Sequence, residues 1–85
     1  MKLVAELSMY PLNEHYIEPI QAFIDRLNTY EDIEVVTTAT STTVSGEYFS
    51  TMLLLAEEMQ RSHAEVGQAI FVCKVLNGDK MSSAN

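Results

Sequence analysis

The sequence predicts an α+β sandwich, with one four-stranded antiparallel sheet and two helices on one face, in the order βαββαβ. Three observations predict it. Two segments have the three- and four-residue apolar spacing of amphipathic helices, and each lies between β-type segments. The flanking segments alternate or run apolar over lengths too short for helices. Finally, 85 residues with 47% hydrophobic content make one folded domain and leave no room for a second. Residues 1–78 are expected to form that domain, with 79–85, small and polar, as a frayed tail.

Leu3 to Met9 sets Leu3, Ala5, Leu7 and Met9 against Val4, Glu6 and Ser8, which is a strand with one apolar face. Pro11 limits it. Asn13 is the expected N-cap of the next element, with Glu14 beside the positive helix end. From Tyr16 to Tyr30 the positions Tyr16, Ile20, Phe23, Leu27 and Tyr30 step by three and four, with Ile17 and Ile24 alongside. Gln21, Asp25, Arg26 and Asn28 fill the other side. This is an amphipathic helix, and Pro19 is tolerated in its first turn. Ile33 to Thr38 reads as the second strand and Thr42 to Ser45 as the third, joined through Ala39-Thr40-Ser41. A second helix is expected from Tyr48 to Ser62, with Phe49, Met52, Leu53, Ala56 and Met59 on one face and Gly67 marking the loop beyond. Ala69 to Leu76 is a nearly continuous apolar last strand, closed by Asn77-Gly78.

Two βα units with right-handed crossovers give the ferredoxin-like arrangement, in which the first and third strands are central. Leu3, Ala5 and Leu7, with Phe71, Cys73 and Val75, then face the helices. Val4, Glu6, Ser8 and Tyr10, with Val72 and Lys74, line the opposite, open face. That face is too apolar to leave in water, which predicts a partner sheet over it. Lys74 is expected opposite Glu6 as a cross-strand ion pair. Equally, a partner sheet would bury Glu6 and make it need a donor there.

The formal net charge of −7 argues against nucleic-acid backbones and anionic membranes as partners. No apolar stretch approaches membrane-spanning length, and the carboxylate of Glu6 comes early for a leader peptide. The single cysteine, Cys73, excludes an internal disulfide, is expected to be a buried core thiol, and fits a reducing cytoplasm. No nucleophile stands beside a recognisable base. His15 and His63 are expected near helix ends as solvated side chains, and Gly46, Gly67 and Gly78 are too far apart for a phosphate loop. The expectation is a protein that is not an enzyme and uses no metal or cofactor. Glu47, after Gly46, is expected to cap the second helix.

Seven of the nine residues from Thr37 to Ser45 carry hydroxyls and none is charged. Thr37 and Thr38 fall in an outer strand, where β propensity accounts for them. Thr40 to Gly46 enter a central strand beside Glu6, Ser8 and Tyr10, where a covered sheet face makes a pocket for a small polar ligand.

Two segments resemble a known family. Glu6-Leu7-Ser8-Met9-Tyr10-Pro11-Leu12 before a helix, and Thr40-Ser41-Thr42-Thr43-Val44-Ser45-Gly46-Glu47 before a helix, are similar to the YkoF-type thiamine/hydroxymethylpyrimidine-binding proteins. There a Ser-x-Tyr-Pro-Leu-like first strand end accompanies a Ser-Thr-x-x-x-Gly-Glu/Asp third strand. The resemblance implies a ferredoxin-like domain that assembles sheet to sheet, as a homodimer or a dimer of dimers. It also implies binding of thiamine, or of its pyrimidine part, without turnover. Ser8 and Tyr10 match the first motif, and Ser41, Thr42 and Gly46 match the second. With Glu6 and Thr40 they are the expected ligand residues. Hydroxyls and a carboxylate together satisfy an aminopyrimidine, Tyr10 stacks on its ring, and Glu6 accepts from the amine or offsets the thiazolium charge. The chain departs from tandem members at the last strand's end, where they carry a Gly-Cys-Pro-like segment and this chain has Leu76-Asn77-Gly78-Asp79. The rival expectation is an oligomeric interaction or regulatory domain with no small-molecule ligand.

Overall fold

β1 (Lys2–Pro11), α1 (Ile17–Leu27), β2 (Glu34–Thr37), β3 (Thr42–Glu47), α2 (Tyr48–Val66) and β4 (Ala69–Asn77) follow in that order in the computed structural model, which describes residues 1–78. The strands form one antiparallel sheet in the order β2-β3-β1-β4, with β3 and β1 central. This is the ferredoxin-like α+β fold that the element pattern predicts. The expected tail, 79–85, lies outside the described residues.

The alternation of β1 sets the core. Leu3, Ala5, Leu7 and Met9 pack against Phe23 and Leu27 of α1, Val44 of β3, and Leu54 and Leu55 of α2. Phe71 joins from β4, its ring 5.0 Å from that of Phe23. Cross-strand partners share a face, and the register sets Glu6 opposite Lys74 and Thr43, and Leu7 opposite Cys73 and Thr42. Phe71, Cys73 and Val75 therefore do lie on the helix side.

Several expectations are corrected. Cys73 is exposed, not a core thiol, because β4 is an edge strand and the helices do not reach over its middle. Asn13 caps nothing: α1 begins at Ile17 with Tyr16 at the cap position and no side-chain cap bond. α2 runs on to Val66, so His63 lies inside it, with Nε2 3.0 Å from the Ala69 carbonyl. The buried side of α2 is Thr51, Leu54, Leu55, Glu58 and Ser62, whereas Phe49, Met52, Leu53 and Ala56 point outward. Both stripes have helical spacing. Glu47 caps the helix start as expected, its carboxylate accepting from Phe49 N–H at 3.2 Å. The polar members of the buried stripe are tolerated because Arg26 of α1 donates to Glu58 and to Ser62, each at 2.6 Å.

Candidate functional site

β1 outruns β3. The last β1–β3 pair is Leu7 with Thr42, while β1 continues beside β4 as far as Pro11 opposite Ala69. The loop between β2 and β3 therefore folds back beside the end of β1. A cleft of about 480 Å³ opens between them and α1. Leu7 to Pro11 form its floor, Thr37 to Thr42 one wall, and Tyr16, Ile20, Phe23 and Ile24 of α1 the other. Among the described residues, no charged side chain lines it.

The hairpin wall is held by its own hydroxyls. Thr38 N–H donates to the Ser41 carbonyl at 2.9 Å, and Thr38 Oγ1 accepts from the N–H groups of Thr40 and Ser41, each at 3.3 Å. This is the local bonding that makes Ser and Thr turn formers. Ser8 Oγ donates to the Thr40 carbonyl at 3.1 Å and ties the loop to β1. The Thr40 hydroxyl and the phenols of Tyr10 and Tyr16 have no hydrogen-bond partner among the described residues.

The backbone adds a donor and an acceptor. In an antiparallel strand the amide groups of successive residues point to opposite neighbours. Leu12 N–H bonds the Gln68 carbonyl and Gly78 N–H bonds the Lys2 carbonyl, so even-numbered residues of β1 turn their backbone to β4. Met9 turns its N–H and carbonyl the other way, beyond the end of the β3 ladder. There they face the cleft, with no described strand beside them.

Five of the seven expected ligand residues meet here: Ser8, Tyr10, Thr40, Ser41 and Thr42. Two do not. Glu6 stands on the open sheet face outside the cleft, 3.7 Å from Lys74 Nζ, and accepts from Ser41 Oγ at 3.4 Å. Its charge is already partnered, so its reach to the cleft runs through Ser41. Gly46 lies at the far end of β3, opposite Leu3, where a Cβ would come 2.5 Å from Thr51 Oγ1. Its lack of a side chain serves the close packing of α2 on β3. Thr42 is buried on the helix side, 3.5 Å from Thr37 Oγ1. The cleft thus sits at the sheet end, largely on the helix side, and not on the open face where the sequence placed it. The α1 wall and the Met9 backbone were missed. The spacing of Tyr16, Ile20 and Phe23 identified a buried face but not that its first turns overhang the end of the sheet.

No family model and no curated protein matches this chain. Solved structures do. A Streptococcus pneumoniae protein, SP2199, is 27% identical, with a TM-score of 0.85 over 96% of this chain and 92% of that one. A Thermotoga maritima protein provisionally assigned to thiamine biosynthesis or salvage, TM0486, is 16% identical with a TM-score of 0.83, over 92% and 85% of the two chains. A Bacillus cereus domain of unknown function, DUF77, is 13% identical with a TM-score of 0.68, over 98% and 82%. The chain thus shares its βαββαβ fold with bacterial proteins, one of which carries a provisional assignment to thiamine metabolism.

Proposed function

We propose that this protein binds thiamine or its hydroxymethylpyrimidine moiety, without turning it over, in the cleft between α1 and the β2–β3 hairpin. The observation that carries the reading is the N–H and carbonyl of Met9 at the cleft floor, which have no partner among the described residues, in a lining whose described side chains carry no charge. An aminopyrimidine edge presents a ring-nitrogen acceptor beside an amine donor, the complement of a strand backbone. Tyr10 and Tyr16 offer aromatic faces to its ring. The Thr40 hydroxyl, in the cleft lining, is the group assigned to bond the hydroxymethyl oxygen. The overall negative charge of the chain suits a thiazolium cation at the cleft mouth. The provisional assignment of the Thermotoga maritima protein supports the same ligand class. Binding without catalysis is favoured because the described residues of the cleft lining set no nucleophile beside a general base. The exposed apolar side chains of the open face, among them Val36, Ile70 and Val72, support self-association through stacked sheets. No described helix is long and apolar enough to cross a membrane, and the free Cys73 fits a reducing, cytoplasmic setting.

Isothermal titration with thiamine and with hydroxymethylpyrimidine tests the reading. Saturable heat with at least one of them is expected, and background heat with both up to millimolar ligand overturns it. The same exposed face supports a second reading, an interaction or regulatory domain with no small ligand. That reading predicts an oligomer whose melting temperature neither compound raises.

A further inference from the structure

β4 is a nine-residue edge strand, and no described strand pairs with its outer side. Gly78 N–H donates to the Lys2 carbonyl at 2.9 Å and Leu12 N–H to the Gln68 carbonyl at 3.1 Å. With Leu3 opposite Asn77 and Pro11 opposite Ala69, these bonds fix the phase of the ladder. Even-numbered residues of β4 turn their amides toward β1, and Ala69, Phe71, Cys73, Val75 and Asn77 turn theirs outward. The Ala69 carbonyl is met by His63. The outward groups of the other four have no partner among the described residues. The side chains are bare on both faces: Ile70 is 51% and Leu76 57% exposed on one, Val75 42% on the other. Folded proteins normally guard such an edge with charge, proline, a bulge or a short strand. β2, the opposite edge, is guarded in that way, being four residues long and opening with Glu34. β4 holds no proline and no acidic residue, and Lys74 is its one charge.

We propose that β4 pairs antiparallel with β4 of a second copy of this chain, about a two-fold axis at Cys73, joining the two sheets into one. Outward residues must face outward residues for the ladder to close. The axis with the greatest overlap then lies at Cys73, and a shift to Val72 or to Lys74 shortens the ladder at both ends. An axis at Lys74 sets that ammonium directly against its counterpart at the closest cross-strand spacing, where like charges destabilise. An axis at Cys73 moves Lys74 opposite the partner's Val72, with its charge still held by its own Glu6 at 3.7 Å. It also sets Ile70 opposite the partner's Leu76 and Phe71 opposite the partner's Val75, so the bare apolar side chains of each face cover one another. The cleft lies on the far side of β1 from β4, and the open face is left uncovered. Edge pairing is therefore independent of ligand binding and of sheet stacking.

The test is light scattering after size-exclusion chromatography, combined with a short bis-maleimide that links thiols within reach of each other. Wild-type protein is expected to elute as a dimer or a multiple of one, and Cys73 to cross-link into a covalent dimer. Val75→Pro removes an outward N–H and no bond to β1. It should halve the particle mass and abolish the cross-link while circular dichroism shows a folded chain. Val75→Lys, which changes no backbone group, should do the same should the proline variant fail to fold. Thr43→Arg, on the open face, should leave a cross-linkable dimer even where it breaks larger assemblies. A monomeric wild type, a wild type whose Cys73 does not cross-link, or a folded Val75 variant of unchanged mass overturns the proposal. So does loss of the cross-link in a folded Thr43→Arg.

Discussion

The Arg26 guanidinium of α1 meets the Glu58 carboxylate of α2 at 2.6 Å, and both side chains are largely withdrawn from water. A pair in that position is stable only when fully partnered. The Tyr30 hydroxyl donates to the other Glu58 oxygen at 2.6 Å, and Arg26 also reaches Glu65 at 3.2 Å. Arg26→Leu leaves the carboxylate without its cation and should lower the unfolding free energy by about 3 kcal/mol in a urea titration. A loss below about 1 kcal/mol is what an exposed pair gives and contradicts the clamp.

The same cluster sets the pH limits of stability. Burial pushes the Glu58 pKa up, but the Tyr30 and Arg26 hydrogen bonds outweigh it and hold the carboxyl below its ordinary value. A depressed carboxyl stabilises the fold above its unfolded pKa, about 4.3, and that contribution drains away as pH falls through the folded value. The hydrogen bond to Glu58, aided by burial, raises the Tyr30 phenol. Its contribution is present below about pH 10 and is lost as pH rises through the raised value. Thermal melting across pH should show both limbs, with Glu58→Gln flattening the acid one and Tyr30→Phe the alkaline one. An acid limb unchanged in Glu58→Gln would place the effect on other carboxylates.

Gly46→Ala tests whether that glycine serves packing or the ligand. The new methyl meets Thr51 Oγ1 at 2.5 Å and Ile33 Cγ2 at 3.1 Å, an overpacking that costs about 1–3 kcal/mol. Thr51 Oγ1 is buried with no partner among the described residues, so Thr51→Ala should recover much of the loss in the double variant. Ligand affinity of the folded variant should not change, since Gly46 lies away from the cleft. A specific loss of binding with stability intact would return Gly46 to the site.

Tyr16→Ala and Glu6→Gln separate the cleft from the open face. Removing the aromatic wall should weaken thiamine or pyrimidine binding about fivefold to tenfold, in line with the worth of one aromatic contact. Glu6→Gln keeps an acceptor for Ser41 Oγ and should leave affinity within about twofold, a few tenths of a kcal/mol. Titration calorimetry on both variants decides, and the reverse order would put the ligand on the sheet face.

Much of this was readable along the chain because it depends on period. The alternation of Leu3, Ala5, Leu7 and Met9 marks a strand and its buried face with no knowledge of its neighbours. Glu47 was legible as a cap because that role needs only its own helix start. The inward stripe of α2 was not legible: Glu58 and Ser62 look like surface residues until Arg26 and Tyr30, 28 to 36 residues away in sequence, are brought against them. Cys73 misled for a similar reason. Its apolar neighbours suggest burial, but exposure follows from β4 lying at the edge of the sheet.

The hydroxyl run from Thr37 to Ser45 shows the division most clearly. By itself the sequence determined the strand order, the two central strands and a set of uncharged donors and acceptors, because hydrogen-bonding capacity and periodicity are local properties. Only the tertiary structure decided where those groups gather. The β1–β3 ladder stops at Leu7 and Thr42 while β1 continues to Pro11. That difference in strand length frees the Met9 backbone, folds Thr40 and Ser41 back beside Ser8, and opens the cleft toward α1. Where a ladder ends depends on two strands at once, and neither strand's residues record it alone.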